Sequence, residues 1–461
     1  MSTATQKSDL FRKSSSLRKL QLALGTEGTT FLSHALGSVT RLLPHTETTR
    51  WSVTSSTNST KVKWEDSNRR AIVLRVRIAD EANSFCVEAT LRRKTASSGV
   101  GQIAPTLDVR EFDVCQLVAS RISTVLHPDS QDASTESLRA ISSLFDEQVV
   151  AVHIQRHHGI TLDVGQVFAE MRRLAEQSYE NKSISYGLLI RPDGETHETV
   201  FPSDFFGKKR YRALSDGFRT AFEVTSGGKL LGLLDLKDLG TGRNQQHFFP
   251  EWCEHIAEAS NHRSCGIALT RQGDVLIFDS GSLRFTYRAG RWQYWNHRHV
   301  CDLFRNRARV QHVPTHVLPR VVKSIYRAAL DVSFRRSGAL FVLLRNRKNK
   351  QKLVIPGDAI GDANREATHA AFDETLAEPI VQTMPRVRLA ELAGLDGGVV
   401  LDNHGHLLAY GAVLKTTGRF NPSEGSRTKA AISASRYGIA VKVSSDGEIT
   451  FFENGKVFLE L

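Results

Sequence analysis

Apolar positions in the first third of the chain follow both strand and helix periods. Residues 71–76 are typical of a strand, while apolar side chains from Cys115 to Val125 recur at three- and four-residue steps. These patterns predict an α+β region of unknown role over residues 26–147. Residues 1–25 mix serines with basic side chains, so we expect a basic flexible arm there.

The middle of the chain alternates strand and helix patterns. Apolar runs at residues 187–190 and 230–236 predict buried strands. A hairpin with two glycine turns follows over residues 266–285. This order predicts an α/β domain over residues 148–301.

The last third, residues 302–461, predicts a mixed-sheet α/β domain that begins after a basic connector at residues 305–309. An apolar stripe from Leu318 to Val332 predicts its first helix, and Asp362 is suited to cap a second. The predicted strands are residues 339–344, 399–401, 407–414, 439–443 and 449–452, with one short helix at 426–435.

The terminal hairpin repeats the middle hairpin in outline. Residues 438–441 can be laid on residues 266–269, and the glycine turns of the two hairpins then coincide if two residues are gapped. Either a duplication or convergence on glycine-rich turns explains this pattern.

Composition narrows the class of protein. Of 461 residues, 40% are apolar and 24% are charged, which excludes collagen-like, disulfide-scaffold and wholly disordered chains. No apolar run approaches the roughly 18 residues that a membrane helix needs, so we expect no membrane association. The five cysteines are scattered, which favours a reducing cytoplasm. The net charge of +12 attracts phosphates of any source.

Two segments of the last domain carry candidate chemistry. In the first, Asp396 precedes two glycines that open an apolar strand. Glycine lets a nucleotide approach the backbone, and an aspartate can hold a metal or a ribose hydroxyl, although Asp-Gly-Gly alone is most often a turn. In the second, Gly425 leads into a helix whose first turn is Ser426, Arg427, Thr428 and Lys429. Free N–H groups and cations there favour a phosphate site, with an exposed basic turn as the alternative.

The order and spacing of these segments resemble the diadenylate cyclase domain of the DisA family. That family has an Asp-Gly-Ala motif, then Gly-Thr/Ser-Arg-His-Arg-Ala-Ala, then a strand ending in a Ser-Glu-Glu-x-Gly-like turn. The counterparts here are residues 396–398, 425–431 and 444–447, and residues 403–412 are similar to the hairpin between the first two motifs. The resemblance covers the C-terminal third of the chain.

The resemblance implies condensation of two ATP molecules into cyclic di-AMP, or a related cyclic dinucleotide, by facing C-terminal domains of a homo-oligomer. It implies catalytic roles for Asp396, Gly397 and Arg427. Mg²⁺ or Mn²⁺ would bind at Asp396 and Asp446. The implied nucleotide contacts are Gly398, Gly425, Ser426, Thr428, Lys429 and Ser444. The middle domain is similar to the sensor domains that precede such cyclases, and it is either regulatory or a degenerate cyclase-like copy.

Departures from the family motifs define the alternatives. Thr428 and Lys429 stand where the family has histidine and arginine, and Ser445 stands where it has a glutamate, with Asp446 one residue displaced. Lysine keeps the charge but loses the bidentate fork. A nucleotide-binding sensor without catalysis is therefore the second hypothesis. A nucleic-acid-binding protein is the third, although nucleic acid is not an expected partner.

Other polar clusters are weaker candidates. His297, His299 and Cys301 alternate, but no second ligand pair accompanies them, so zinc is disfavoured. We expect the three histidines at positions 153, 157 and 158 to lie on the surface, because residues 149–154 are typical of a strand. No Gly-x-x-x-x-Gly-Lys-Ser/Thr motif is present, which disfavours a P-loop ATPase.

Overall fold

The computed structural model describes residues 15–44, 46–55, 59–79, 84–93, 106–127, 134–179, 182–192, 214–239, 248–261, 263–309, 316–376, 379–418, 420–421 and 423–461. Contacts between residues divide the chain into two compact units. Unit 1 comprises residues 1–245 and 255–295, and unit 2 comprises residues 246–254 and 296–461. The predicted boundary at residue 302 thus lies six residues after the point where unit 2 resumes.

Unit 1 contains a four-stranded sheet, a seven-stranded sheet and a two-stranded ribbon. Its helices are α1 (Ser15–Leu42), α2 (Val109–Val125), α3 (Thr135–His158), α4 (Val164–Ala175) and α5 (Glu254–Ala259), which begins at the last residue of the unit 2 segment. Its strands are β1 (Thr46–Ser55), β2 (Lys61–Trp64), β3 (Ala71–Ala79), β4 (Ser84–Arg93), β5 (Ser178–Tyr179), β6 (Lys182–Ser183), β7 (Tyr186–Arg191), β8 (Thr220–Thr225), β9 (Leu230–Asp235), β10 (Cys265–Leu269), β11 (Val275–Asp279), β12 (Ser282–Arg288) and β13 (Arg291–Tyr294).

One hydrophobic cluster joins the two predicted parts of unit 1. It includes side chains from Leu20 in α1 to Tyr294 in β13, and it therefore spans the predicted 26–147 and 148–301 domains. Part of the predicted flexible arm is also structured, because helix α1 begins at Ser15 and Leu20 is buried. Residues 1–14 lie outside the described residues. The arm prediction was wrong from Ser15 onward because the apolar face of α1 is covered by the cluster.

Unit 2 is built on a six-stranded mixed sheet of order β16-β15-β14-β17-β18-β19. Its helices are α6 (His297–Ala308), α7 (Val317–Phe334), α8 (Lys350–Leu353), α9 (Ala367–Thr375), α10 (Arg386–Gly394) and α11 (Ser426–Ala434). Its strands are β14 (Ala339–Leu344), β15 (Gly398–Asp402), β16 (Leu407–Ala412), β17 (Gly438–Val443), β18 (Ile449–Glu453) and β19 (Lys456–Glu460). The α/β class, the central strands and the short helix α11 were all predicted.

Alternation along the strands sorts their side chains to two faces. Leu340, Val342, Ala440 and Phe452 share one face, and they form a cluster with Ala431 of α11 and further buried residues. This packing fixes α11 against β14, β17 and β18, with its first turn towards the end of the sheet where β14 begins.

The sheet of unit 2 repeats the topology of the seven-stranded sheet of unit 1. The order β12-β11-β10-β7-β8-β9 corresponds strand for strand to β19-β18-β17-β14-β15-β16. In each sheet the first two of the six strands in sequence pair in parallel, β7 with β8 and β14 with β15. The fourth strand in sequence pairs antiparallel with the first, β10 with β7 and β17 with β14. The shared order of six strands favours duplication, because convergence on glycine-rich turns does not explain it.

The repeated hairpins agree hydrogen bond by hydrogen bond. Thr270 N donates to Asp274 O (2.9 Å), and Asp274 N donates to Thr270 Oγ1 (3.0 Å). Ser444 N donates to Glu448 O (2.9 Å), and Glu448 N donates to Ser444 Oγ (3.0 Å). The register pairs Leu269 with Val275 and Val443 with Ile449, so the two hairpins align at a constant offset with no gap. The gapped alignment was wrong, because its two-residue gap arose from matching Gly266 to Gly438.

Several local predictions were wrong. Helix α9 begins after Glu366 rather than at Asp362, whose carboxylate instead accepts from Asn364 N (3.0 Å) in a turn. Residues 305–308 of the predicted connector are the end of α6. Strand β9 is half-exposed at the edge of its sheet instead of buried.

All five cysteines are free thiols. Among the described helices, none combines the length and the apolar character required to cross a membrane.

Candidate functional site

The strand registers of unit 2 bring the motif residues to one end of the sheet. Strands β14 and β15 run parallel with Phe341 beside Val399, and β17 runs antiparallel with Ala339 beside Val443. Extending these registers to the strand ends places Asp396, Gly338 and Ser444 side by side in one row. We call this row, with the first turn of α11, the site edge. The three motifs that lie far apart in sequence therefore converge on it.

Asp396 is held at the site edge by a backbone that only glycine accommodates. Gly397 has φ +109°, and a Cβ there would lie 2.5 Å from the carbonyl carbon of Gly411. This close approach to the end of β16 turns Asp396 outward, where it is exposed. Its Oδ1 accepts from Gly397 N (3.1 Å). Gly398 is buried and faces Leu414 and the carbonyl of Leu340, so it is a packing position in the sheet.

The first turn of α11 supplies N–H groups and cations to the site edge. Gly425 is the N-cap residue in extended conformation, and no side chain caps the helix. Gly425 and Ser426 are exposed, whereas Arg427 and Lys429 are half-buried. An uncapped N-terminus carries partial positive charge that favours an anion.

Arg427 reaches across to the start of β14. A Cβ built at Gly338 would lie 2.1 Å from Arg427 Nη1 and 2.6 Å from its Cζ. The guanidinium therefore lies directly over the Gly338 backbone, between the strand ends that carry Asp396 and Ser444. Arginine there can offer a planar fork of donors to a phosphate.

Lys442 of β17 is a site residue that the motif comparison missed. It is half-buried, and its Nζ donates to Thr428 Oγ1 (3.4 Å). Its charge also helps to lower the pKa of Asp446, after the larger effect of the hydrogen bond that the Ser444 hydroxyl donates to that carboxylate. Lys442 thus connects the first turn of α11 with the turn that follows β17.

The sequence contained a signal for Lys442 but none for Gly338. A single lysine interrupts the apolar strand Gly438–Val443, and a charge on an otherwise buried strand calls for a partner or a ligand. Gly338 precedes a strand like many glycines, and its role is visible only once Arg427 is placed against it.

The donor set fits a hard divalent cation. Asp396 offers an exposed carboxylate, whereas the hydroxyl oxygens of Thr428 and Ser444 already accept from Lys442 Nζ and Glu448 N. Mg²⁺ prefers oxygen ligands and is commonly bound by one or two carboxylates together with substrate phosphates. Asp446 is separated from Asp396 by β14, and two strand spacings amount to about 10 Å. The geometry thus fits Asp396 as the protein carboxylate, with phosphates completing the ligand set.

Unit 1 has different chemistry at the corresponding place. An Asp-Gly pair, Asp216 and Gly217 with a positive φ at the glycine (+78°), also occurs before β8. The strand registers, however, place Arg219 rather than Asp216 at the position of Asp396. Asp216 Oδ1 accepts from the backbone N–H groups of Phe218, Arg219 and Thr220, at 2.7–3.0 Å. These bonds lower the pKa of Asp216 although burial raises it.

The helix of unit 1 that corresponds to α11 is also different. Helix α5 begins with Glu254 instead of the basic turn. The sequence of unit 1 contains no Asp-Gly-Gly or Gly-Ser-Arg motif, and its Asp216 is used within a turn.

Comparison with known proteins does not assign a family. No family model matches the chain, and no curated protein matches it. A crystal structure from Bacillus cereus, described as a hypothetical membrane spanning protein, is 21% identical over 35% of this chain and 74% of that chain, with a TM-score of 0.24. A likeness at that TM-score does not establish a shared fold.

Proposed function

We propose that unit 2 is a nucleotidyltransferase of the diadenylate cyclase type, which condenses two ATP molecules into cyclic di-AMP or a related cyclic dinucleotide. The observation that supports this proposal is the row of Asp396, Gly338 and Ser444 with the Arg427 guanidinium lying over Gly338. A carboxylate and a phosphate-binding arginine on one sheet edge are what transfer between a hydroxyl and a phosphate requires.

The reaction forms two phosphodiester bonds and releases two pyrophosphates. The 3′-oxygen of each ATP bonds to the α-phosphorus of the other, the bond from that phosphorus to the pyrophosphate oxygen breaks, and each hydroxyl proton leaves to a base. Asp396 is the exposed carboxylate placed to orient a 3′-hydroxyl. Arg427, Lys429 and Lys442 neutralise phosphate charge, and Ser426 and the α11 N–H groups hold phosphate oxygens.

Mg²⁺ or Mn²⁺ at Asp396 would supply charge neutralisation for the phosphates. The protein residues then have the task of orientation. Gly397 allows the tight turn that presents Asp396, and the Gly425 cap leaves the helix N–H groups available, whereas Gly398 packs inside the sheet and is not a nucleotide contact.

One site edge holds one ATP, whereas the product contains two nucleotides. The product therefore requires a homo-oligomer in which unit 2 of one chain faces unit 2 of another. Bringing two polyphosphates together is unfavourable unless cations neutralise them, which the basic first turn of α11 provides. Specific activity should therefore fall on dilution in parallel with mass from light scattering. Constant activity where only monomer is present would contradict the facing arrangement.

The direct experiment is incubation of the full chain with ATP and Mg²⁺ or Mn²⁺, followed by mass identification of products. Cyclic di-AMP with stoichiometric pyrophosphate supports the proposal. ADP and phosphate, or no product at any metal, overturns it.

A second candidate is nucleotide binding without turnover. It is favoured by the turn after β17, where Ser445 carries no carboxylate and Asp446 is engaged by the Ser444 hydroxyl. Calorimetric ATP binding in the absence of any product would support this candidate. In either case, we propose that unit 1 regulates or assembles unit 2, because Arg219 stands at the position of Asp396 and α5 lacks a basic start.

A further inference from the structure

Unit 1 contains a cluster of histidines and a carboxylate outside the site edge. His157 and His158 are the last residues of α3, and both rings face Asp279 at the end of β11. The Nε2 atoms of the two histidines each lie 3.6 Å from an Asp279 oxygen, His157 from Oδ2 and His158 from Oδ1. The three ligand atoms all lie within 4.8 Å of one another.

The prediction of surface histidines is wrong for His153 and His158, whereas His157 is exposed. Residues 149–154 are helical rather than a strand, and the side chain of His158 is 2% exposed while that of His157 is 37% exposed. His153 is buried one turn before His157, with its ring stacked at 6.0 Å. The cluster is therefore buried on one side and open to solvent at His157.

The spacing fits metal coordination better than hydrogen bonding. A distance of 3.6 Å is too long for a hydrogen bond. Two ligands at 2.0–2.1 Å on a tetrahedral zinc ion lie about 3.4 Å apart. Small movements of the side chains would bring all three donors to one ion.

The end of α3 favours a cation, and neighbouring side chains hold the carboxylate in place. The last turn of a helix carries partial negative charge, and both histidines lie there. Asp279 Oδ1 accepts from Ser280 Oγ (2.8 Å), and Arg110 donates to Oδ2. Partners of this kind orient a ligating carboxylate. Asp113 interacts electrostatically with His157, so Asp113 and Asp279 set two negative charges against the positive charges of Arg110 and Arg284.

The duplicated hairpin shows what is particular to unit 1. The equivalent carboxylate of unit 2, Glu453, is bound by two arginines, Arg307 at 2.7 Å and Arg345. In unit 1 the carboxylate is bound by Arg110 and faced by two imidazoles, and Arg284 interacts with it electrostatically. Guanidinium cannot ligate a metal, whereas neutral imidazole is a preferred zinc ligand.

We propose that His157, His158 and Asp279 form a zinc site, or a site for a similar borderline divalent cation, with a fourth position open to solvent. Two nitrogens and one carboxylate oxygen match the three-ligand open sites of zinc rather than the all-oxygen sites of Mg²⁺. This proposal is independent of the nucleotide chemistry of unit 2.

The test is zinc binding by the full chain after treatment with a chelator. Equilibrium dialysis against Zn²⁺, with metal counted by mass spectrometry, should give one ion that excess Mg²⁺ does not displace. His157→Asn changes a partly exposed side chain and removes a direct ligand. Losing a residue that only hydrogen-bonds a ligand weakens metal binding roughly 10- to 100-fold, so His157→Asn should weaken zinc binding by more than that. The exposed His369 on α9 provides the control, and His369→Asn should bind zinc like the wild type.

Thermal unfolding supplies a second measurement. Zn²⁺ should raise the unfolding midpoint of the wild type and of His369→Asn, because a ligand that binds the folded state stabilises it. It should leave the midpoint of His157→Asn unchanged at the same concentration. Equal zinc affinity in wild type and His157→Asn, or no bound zinc in the wild type, would overturn the proposal.

Discussion

The guanidinium of Arg427 lies against the backbone of Gly338, where a Cβ would come within 2.1 Å of Nη1. This contact joins the first turn of α11 to the start of β14. It places the arginine beside the row that contains Asp396 and Ser444, so a residue without a side chain positions the principal phosphate contact of the proposed site.

Gly338→Ala tests this relationship. The added methyl should displace the flexible end of Arg427 without disturbing the backbone, so the fold should persist. Loss of charge-assisted hydrogen bonds worth about 1.5–3 kcal/mol predicts about ten- to hundredfold weaker ATP binding by calorimetry. Gly394→Ala is the matched control, because nothing lies within 4 Å of a Cβ there. Equal losses of ATP affinity in Gly338→Ala and Gly394→Ala would show that the contact with Gly338 does not position Arg427 for ATP.

Gly397→Ala should destabilise the fold rather than only the site. Gly397 has φ +109°, and its Cβ would meet the Gly411 carbonyl carbon at 2.5 Å. Backbone strain of this kind costs about 1–3 kcal/mol, and the clash adds to it. Urea denaturation should show the loss, while Gly394→Ala should be neutral. An unchanged free energy of unfolding in Gly397→Ala would contradict this prediction, because it would mean that β16 moves away from the added Cβ at no energetic cost.

Lys442→Met should weaken ATP binding about tenfold while the fold is kept, since the methionine stem retains the packing and the charge is lost. The exposed Lys456 on β19 provides a control with the same change in net charge. Lys456→Met should bind ATP like the wild type. If both variants lose affinity equally, the effect is a general one of net charge and Lys442 has no specific contact.

His153 predicts a pH dependence of stability in unit 1. Burial first, and then the charges of His157 and Arg110, lower its pKa from 6.5 to about 4, against the opposing effect of Asp279. The folded state resists protonation of His153, whereas the unfolded state accepts the proton near pH 6.5. The contribution of His153 to the free energy of unfolding is therefore fully present above about pH 6.5 and is lost as the pH falls towards 4. The shift corresponds to up to about 3 kcal/mol.

His153→Phe should flatten that slope, because an aromatic ring remains and the titrating group is removed. Urea denaturation of both proteins at pH 7 and pH 5 gives the difference. His369→Asn, an exposed change, should keep the wild-type slope. A slope in His153→Phe equal to the wild type would show that other groups cause it.

Local apolar patterns were sufficient for strands β14 to β18 and helices α7 and α11 of unit 2, but they did not indicate α6, α10 or β19. The run Ala339–Leu344 is buried along its whole length, and α7 presents one apolar stripe. The strand registers could not be predicted from the sequence, because they depend on which strands pair. Only the registers show that Asp396 and Ser444 lie in one row.

Helix caps and the duplication needed the structure for a similar reason. Asp362 satisfies a turn instead of a helix start, a competition that residue type cannot decide. The hairpin repeat was visible in sequence, but its ungapped alignment follows from matching hydrogen bonds at Thr270 and Ser444.

The most direct test of the central claim is the rate of dinucleotide formation by Asp396→Asn. The carboxylate is exposed and its structural bond is to the adjacent Gly397 N, which an amide oxygen can also accept. We therefore predict an unchanged unfolding midpoint, ATP affinity reduced by only a few-fold, and turnover reduced by at least about a hundredfold. The surface aspartate of α6, Asp302, supplies the control in Asp302→Asn, which should retain full turnover. Full turnover in Asp396→Asn would contradict the assignment of the site edge as the catalytic centre.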